Sequence, residues 1–135
     1  MLFNRKFILA SKSKSRQAIL KNNQLSFTQV SPKCDEEFEK KRISKKKLSA
    51  PTTSLVLAKL KAASISKVKK NKLVVGSDTV IEFNKKIITK AKNTKEAKRK
   101  LTLLSGKRHK IYSSAAAYVD NKLVWCATQK TTVKI

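Results

Sequence analysis

Apolar residues along the chain fall into short runs that suit strands and longer stretches with helical spacing, and the two kinds alternate. Phe7-Ile8-Leu9-Ala10 is a compact apolar run that meets Ser11, and the segment from Ser13 to Lys21 reads as a helix with Ser13 as its N-cap. Phe27 to Val30 reads as a second strand, followed by Pro32 and a cluster of acids, Asp35, Glu36, Glu37 and Glu39. Lys40 to Lys47 is charged and irregular, a solvated loop or helix face. Pro51-Thr52-Thr53 opens a helix in which Val56, Leu60 and Ala63 recur at helical spacing, with Leu57 and Val68 in support. Leu73-Val74-Val75 is expected to be a buried strand ending at Gly76-Ser77-Asp78-Thr79, and Val80-Ile81 with Ile87-Ile88 to form a hairpin around Asn84. Thr94 is placed to cap a helix whose Ala97, Leu101 and Leu104 share a face, with Gly106 just past its end. Residues 109 to 119 and 122 to 135, rich in Val, Tyr and Thr, read as two long strands around an Asp120-Asn121 turn. This interleaving predicts an α/β fold, and the absence of any Gly- or Pro-rich linker makes residues 1–135 a single domain.

Composition sharpens part of this picture. With 135 residues and 40% hydrophobic content, the chain is long enough to bury a real core. Its 33 Lys and Arg against 8 Asp and Glu give a net charge of +25, so polyanions will be attracted at low salt whatever the physiological ligand is. The lysines are scattered through every segment, and runs such as 45 to 47 and 67 to 72 motivate a second reading as a basic nucleic-acid-binding module. Against it, aromatic residues make up 6% of the chain and follow no stacking pattern, so nucleic acid is expected to bind only non-specifically through charge. No stretch approaches the roughly 20 apolar residues of a membrane span, and Met1 to Arg16 holds too short an apolar run for a signal peptide, so the expected compartment is the cytoplasm. Cys34 and Cys126 lie far apart, without Cys or His neighbours at metal-ligand spacing, and are expected to be packing residues kept as thiols.

Four places carry candidate chemistry. Ser11-Lys12-Ser13-Lys14-Ser15-Arg16 joins a strand end to a helix N-terminus and supplies hydroxyls, free backbone N–H groups and a guanidinium, the parts of a phosphate site; a capped helix with surface lysines has the same sequence. It has no glycine run and is not a Walker-type loop. Asp78, directly after an apolar strand and a glycine, is placed either to take a proton from an attacking water and help hold a divalent metal, or simply to form a turn. Within the acidic cluster, Glu36 is the residue best suited to Mg²⁺, which favours one or two carboxylates plus substrate phosphates, although such clusters also form solvated loops. The only histidine, His109, follows Leu104-Ser105-Gly106 and has a structural reading beside the catalytic one.

In this order, the four pieces resemble the Maf family of nucleotide pyrophosphatases. Ile8-Leu9-Ala10-Ser11-Lys12-Ser13-Lys14-Ser15-Arg16 is similar to the family's I-L-A-S-x-S-P-R-R, Leu57 to Ala62 to its L-A-x-x-K-A, and Gly76 to Val80 to its G-[AS]-D-T-V. Lys90 stands where the lysine of a G-K-P motif is expected, and Glu96-Ala97 through Leu104-Ser105-Gly106 to His109 resembles E-A-x-x-x-L-x-x-L-S-G-x-x-H. The resemblance implies a mixed sheet flanked by helices, as in the Maf and inosine-triphosphatase folds. It also implies hydrolysis of a nucleoside triphosphate between the α- and β-phosphates with Mg²⁺ or Mn²⁺. Asp78 becomes the proton acceptor, Glu36 and Asp78 the metal carboxylates, and Ser11, Ser13, Arg16, Lys61 and Lys90 the triphosphate lining.

The chain departs from the pattern at Lys14, Ser15 and Ala91, where the family has Pro, Arg and Pro. Positions 15 and 79 are where the family tunes base preference. Thr79 favours the branch acting on dTTP and UTP, while Ser15 leaves the 7-methylguanosine triphosphate branch open. Thr131 to Ile135 correspond to a strand after which the family continues, so the resemblance implies a fold incomplete at its C-terminus, with an exposed edge at 123 to 135 open to association, including homodimerisation. That would leave a less stable protein, and a catalytically impaired remnant is the alternative to an active enzyme.

Overall fold

The computed structural model describes residues 6–135; the part of the signal-peptide reading that falls on residues 1–5 lies outside them. In chain order the elements are β1 (Phe7–Ala10), α1 (Lys14–Asn22), β2 (Phe27–Val30), α2 (Glu36–Ser44), α3 (Ala50–Ser66), β3 (Val74–Phe83), β4 (Lys86–Ile88), α4 (Thr94–Leu104), β5 (Arg108–Val119) and β6 (Lys122–Lys134). The strands form one mixed sheet in the order β2-β1-β3-β5-β6, with β4 added to the far end of β3. β1 runs parallel to both β2 and β3, whereas the β3–β5 and β5–β6 pairs are antiparallel.

Local chemistry starts the helices where it should. Ser13, Asp35, Ser49 and Asn93 each sit in extended backbone and accept a hydrogen bond from an N–H of the first turn. Three of the acids, Glu36, Glu37 and Glu39, lie in the first turn of α2, with Lys41 and Arg42 in its last, matching the helix dipole at both ends. The acidic cluster is therefore a capped helix rather than a loop, and the helix takes in most of the stretch from Lys40 to Lys47. α4 begins one residue earlier than expected: Asn93 is the cap and Thr94 the first helical residue. Leu104 is its buried residue while Leu101 is exposed, so the expected shared face is only partly used. α3 starts at Ala50 with Pro51 in its first turn and ends at Ser66, leaving Val68 outside it and exposed.

Two hairpins close on residue pairs with positive φ, Asn84-Lys85 and Asp120-Asn121, the backbone that tight two-residue turns require. The tip of the second is tied down: Asn121 N–H donates to Ser66 Oγ at 2.8 Å and Asn71 N–H to Asp120 Oδ1 at 2.7 Å.

α3 crosses β3 and β5 and seals the core, where Ile8, Ala10, Ala62, Ile65 and Val74 meet, with Val30 and Tyr118 packed against them. Small residues set how closely it approaches. A Cβ added at Gly76 would collide with the Ala58 carbonyl oxygen and lie 2.7 Å from the Ala62 amide nitrogen, so the helix rests directly on the backbone of β3. Cys34 and Cys126 are free thiols, both half-buried and outside this core.

Candidate active site

The site is made by the ending of one strand beside another that continues. β1 stops at Ala10, opposite Gly76, while β3 runs on to Phe83. Among the described residues, Ser77 to Val80 have no strand on the β1 side, because β4 joins β3 only from Ile81. Asp78 is therefore not at the end of its own strand, as the polar Gly-Ser-Asp-Thr sequence suggested. It lies mid-strand, paired with Ser114 of β5, and faces an opening because its neighbour has ended.

Successive residues of a strand point to opposite faces, so Asp78 and Thr79 serve the two sides of the sheet. Asp78 meets α3: the Lys61 ammonium donates to Asp78 Oδ1 at 2.9 Å and to the Ser77 carbonyl at 3.3 Å, with Glu36 Oε1 at 3.7 Å on its other side. Lys61 lies four and three residues beyond Leu57 and Ala58 on the buried stripe of α3, so the packing that closes the core also aims its ammonium at β3. Thr79 meets α1 on the opposite face: Arg16 Nη2 donates to Thr79 Oγ1 at 3.2 Å, and its Nη1 to Ser11 Oγ at 3.4 Å. Ser113, beside Thr79 on β5, lies 3.4 Å from it, oxygen to oxygen.

Hydrogen-bond accounting shows what this corner can take. The buried Ser11 hydroxyl accepts from Ser13 N–H at 3.1 Å and from Arg16, which uses both of its lone pairs, so its own hydrogen can only be donated. Ser13 Oγ caps α1 at Arg16 N and touches Ser15 Oγ at 3.0 Å. A committed donor, a guanidinium and a helix N-terminus converge here, a receptor for anionic oxygen. The Ser11 carbonyl is held from below by Gln29 Nε2 at 2.6 Å.

The contacts therefore form two networks at the end of β1, one on each face of the sheet: Ser11, Ser13, Ser15, Arg16 and Thr79 on the α1 side, and Glu36, Lys61 and Asp78 on the α3 side. Lys90 is not brought to them: it is exposed after β4 and makes no hydrogen bond or ion pair with a described residue, while the neighbouring Thr89 hydroxyl is held by Lys100 at 3.1 Å. His109 lies five residues from Ser114 and so on the face opposite Asp78. It is buried, and among the described residues its Nδ1 is the one buried side-chain polar atom without a partner. Burial, and then the Glu36 carboxylate, push the Cys34 thiol above its usual pKa, so this neighbour of Glu36 stays protonated.

One part has no motif in the sequence. Ser54 donates to the Pro51 carbonyl at 2.9 Å, so its oxygen accepts from Ser114 at 2.6 Å, which in turn accepts from Thr128 at 2.7 Å. This chain of hydroxyls ties α3 to β5 opposite Asp78. The Ser77 hydroxyl adds a bond to the Ser114 carbonyl at 2.8 Å.

A family profile described as "Maf-like protein" matches residues 6–135. A protein of Pelagibacter ubique (strain HTCC1062) named nucleoside triphosphate pyrophosphatase is 34% identical over 129 residues, covering 96% of this chain and 66% of that protein. A dTTP/UTP pyrophosphatase of Wolbachia pipientis wMel is 38% identical over 108 residues, 79% of this chain and 52% of that one. The chain thus spans between about half and two thirds of the length of these relatives. The fold is that of a HAM1 protein from Coxiella burnetii, with a TM-score of 0.55 at 13% identity over 94% of this chain and 70% of that one.

Proposed function

Because the chain belongs to the Maf-like family, we propose that it hydrolyses a nucleoside triphosphate to the monophosphate and pyrophosphate at the opening beside the end of β1. The observation that carries this reading is that two networks flank the opening beside the end of β1 from the two faces of the sheet: a carboxylate with a buried ammonium, Asp78 and Lys61, and a donor-only cradle, Arg16 with Ser11. Asp78 takes a proton from a water whose oxygen attacks the α-phosphorus. The bond from that phosphorus to the bridging oxygen breaks, and pyrophosphate leaves with the electron pair. Lys61, Arg16 and Ser11 donate to the phosphate oxygens on which negative charge accumulates. The chain's relationship to a relative named dTTP/UTP pyrophosphatase, together with Thr79, favours a pyrimidine triphosphate, with 7-methylguanosine triphosphate as the competing substrate.

A divalent cation, Mg²⁺ or Mn²⁺, fits the donor set. Glu36 and Asp78 bring carboxylate oxygens to within 3.7 Å of a common point, the Lys61 nitrogen, and no group of three His, Cys, Asp or Glu gathers among the described residues. Two carboxylates without a third suit a cation that reaches the protein together with substrate phosphates. When bound it would offset phosphate charge. No helix among the described residues is long and apolar enough to cross a membrane, and we place the activity in the cytoplasm.

The test is pyrophosphate release with Mg²⁺ over dTTP, UTP, CTP and 7-methylguanosine triphosphate, for the chain and for Asp78→Asn. Turnover should fall by about 10²- to 10⁴-fold in the variant. Turnover that survives the substitution rejects the assignment of Asp78, and tight nucleotide binding without turnover by the unaltered chain would make it a binding protein instead.

A further inference from the structure

Lys61 is a buried cation, with its side chain 7% exposed, and its ammonium contacts three oxygens: Asp78 Oδ1, the Ser77 carbonyl and Glu36 Oε1. Two of these belong to the carboxylates best placed to hold a divalent metal. Without a positive charge between them, they would repel each other across a poorly solvated gap. The ammonium therefore fills the role of a cation there. A metal on Asp78 Oδ1 would have to share that oxygen with a positive group 2.9 Å away, in a site where charge is weakly screened. Ammonium and metal exclude one another.

We propose that Lys61 is a built-in stand-in for the divalent cation, holding Glu36 and Asp78 together until a polyphosphate draws it away. This rests on the pyrophosphatase reading and adds an order of events to it. Lys61 leaves Asp78 for the phosphate oxygens of the incoming nucleotide, which frees both carboxylates to take up the cation that travels with that nucleotide. Asp78 Oδ1 is thus occupied by its own lysine whenever the site is empty and becomes accessible only when substrate is present. Glu36 is the more mobile partner by exposure: its side chain is 33% exposed, against 9% for Asp78, so it can follow the cation inward while Asp78 stays fixed in β3.

The test measures Mn²⁺ binding without nucleotide, from the EPR signal of the free ion and from the shift in thermal midpoint on adding Mn²⁺. The unaltered chain should bind Mn²⁺ weakly and show little shift. Lys61→Gln, which removes the charge but leaves a polar side chain, should bind it at least tenfold more tightly, with an upward shift. Lys61→Arg, which keeps the charge, should behave like the unaltered chain. Adding Glu36→Gln to Lys61→Gln should abolish the gain. Affinity unchanged or weakened in Lys61→Gln overturns the proposal, as does a gain that persists without Glu36. Neither readout needs turnover. Loss of the Mn²⁺ effect beside Asp78-dependent hydrolysis would refute the stand-in and leave the enzyme, whereas a Mn²⁺ effect in a chain that hydrolyses nothing would do the reverse.

Discussion

The sheet face beneath α3 and the edge formed by β6 are built on opposite terms. Under α3, Ala58, Ala62, Ile65 and Val74 are all fully buried, and the helix rests on the backbone of Gly76 with no side chain between. On β6 nearly every residue is exposed, and Leu123, Val124 and Trp125 present apolar surface in succession, with Trp125 56% exposed. Both regions belong to one sheet and differ in what covers them. The Lys61–Asp78 half of the candidate site lies on the covered side, where positions of a few tenths of an ångström are enforced by packing. A site that depends on Lys61 reaching Asp78 at 2.9 Å needs that enforcement, while an edge strand can vary without disturbing it.

The largest effect should come from breaking the tight side. In Gly76→Ala the new methyl meets Ala58 and Ala62 backbone atoms that cannot swing away, so α3 must lift from β3. Overpacking of this kind costs about 1–3 kcal/mol. Because Lys61 moves with the helix, hydrolysis should fall more steeply than stability, by roughly 100-fold, since small misplacements at a reacting centre are that costly. Chemical denaturation run beside steady-state rates checks both. A variant of normal stability and normal rate would show that the close approach is not what aligns the pair.

A smaller loss is expected one strand further out. Ser114→Ala cuts the Thr128–Ser114–Ser54 chain in the middle and leaves the Ser54 oxygen without its donor in a buried place. The cost should be about 1–2 kcal/mol. Denaturant midpoints measure it, and no change would mean that the serine pair is incidental to the α3 contact.

How much of this the sequence discloses depends on whether the signal is local. The Ser13 cap, the apolar runs, the Asn84 and Asp120-Asn121 turns and the alternation of helix and strand are all short-range signals, and the structure agrees with them. The polar Gly76-Ser77-Asp78-Thr79 reads as a strand end because nothing local sustains a strand there. Pairing with Ser113 to Ala116 of β5 carries the strand through it, and that partner lies more than thirty residues away. The acidic cluster reads as a loop because α2 has almost no apolar face, and only its Asp35 cap and dipole-matched charges reveal it. Asn93 and Thr94 are both good caps in adjacent positions, a choice that sequence pattern does not make. The motif residues were legible as a set, but not the reason they meet. The end of β1 at Ala10 is legible, but nothing local announces that β3 runs on beside it, and the link from Ser54 to Ser114 spans sixty residues without any motif.

The smallest effect on stability should come from the loose side, and it sharpens the comparison most. Trp125→Lys places a charge on an exposed edge strand whose outer backbone is unpaired among the described residues, the device by which natural sheets discourage edge-to-edge pairing. If β6 is as weakly constrained as its exposure implies, the unfolding free energy should stay within about 0.5 kcal/mol of the unaltered chain. Self-association, followed by sedimentation velocity at moderate salt to limit the effect of the +25 charge, should decrease. A loss well above 1 kcal/mol would instead make Trp125 part of the core, and the contrast between the two sides of the sheet would have to be withdrawn. Stability held with association reduced would place the molecule's tendency to pair on the edge farthest from β2, with β3 and its opening left free for substrate.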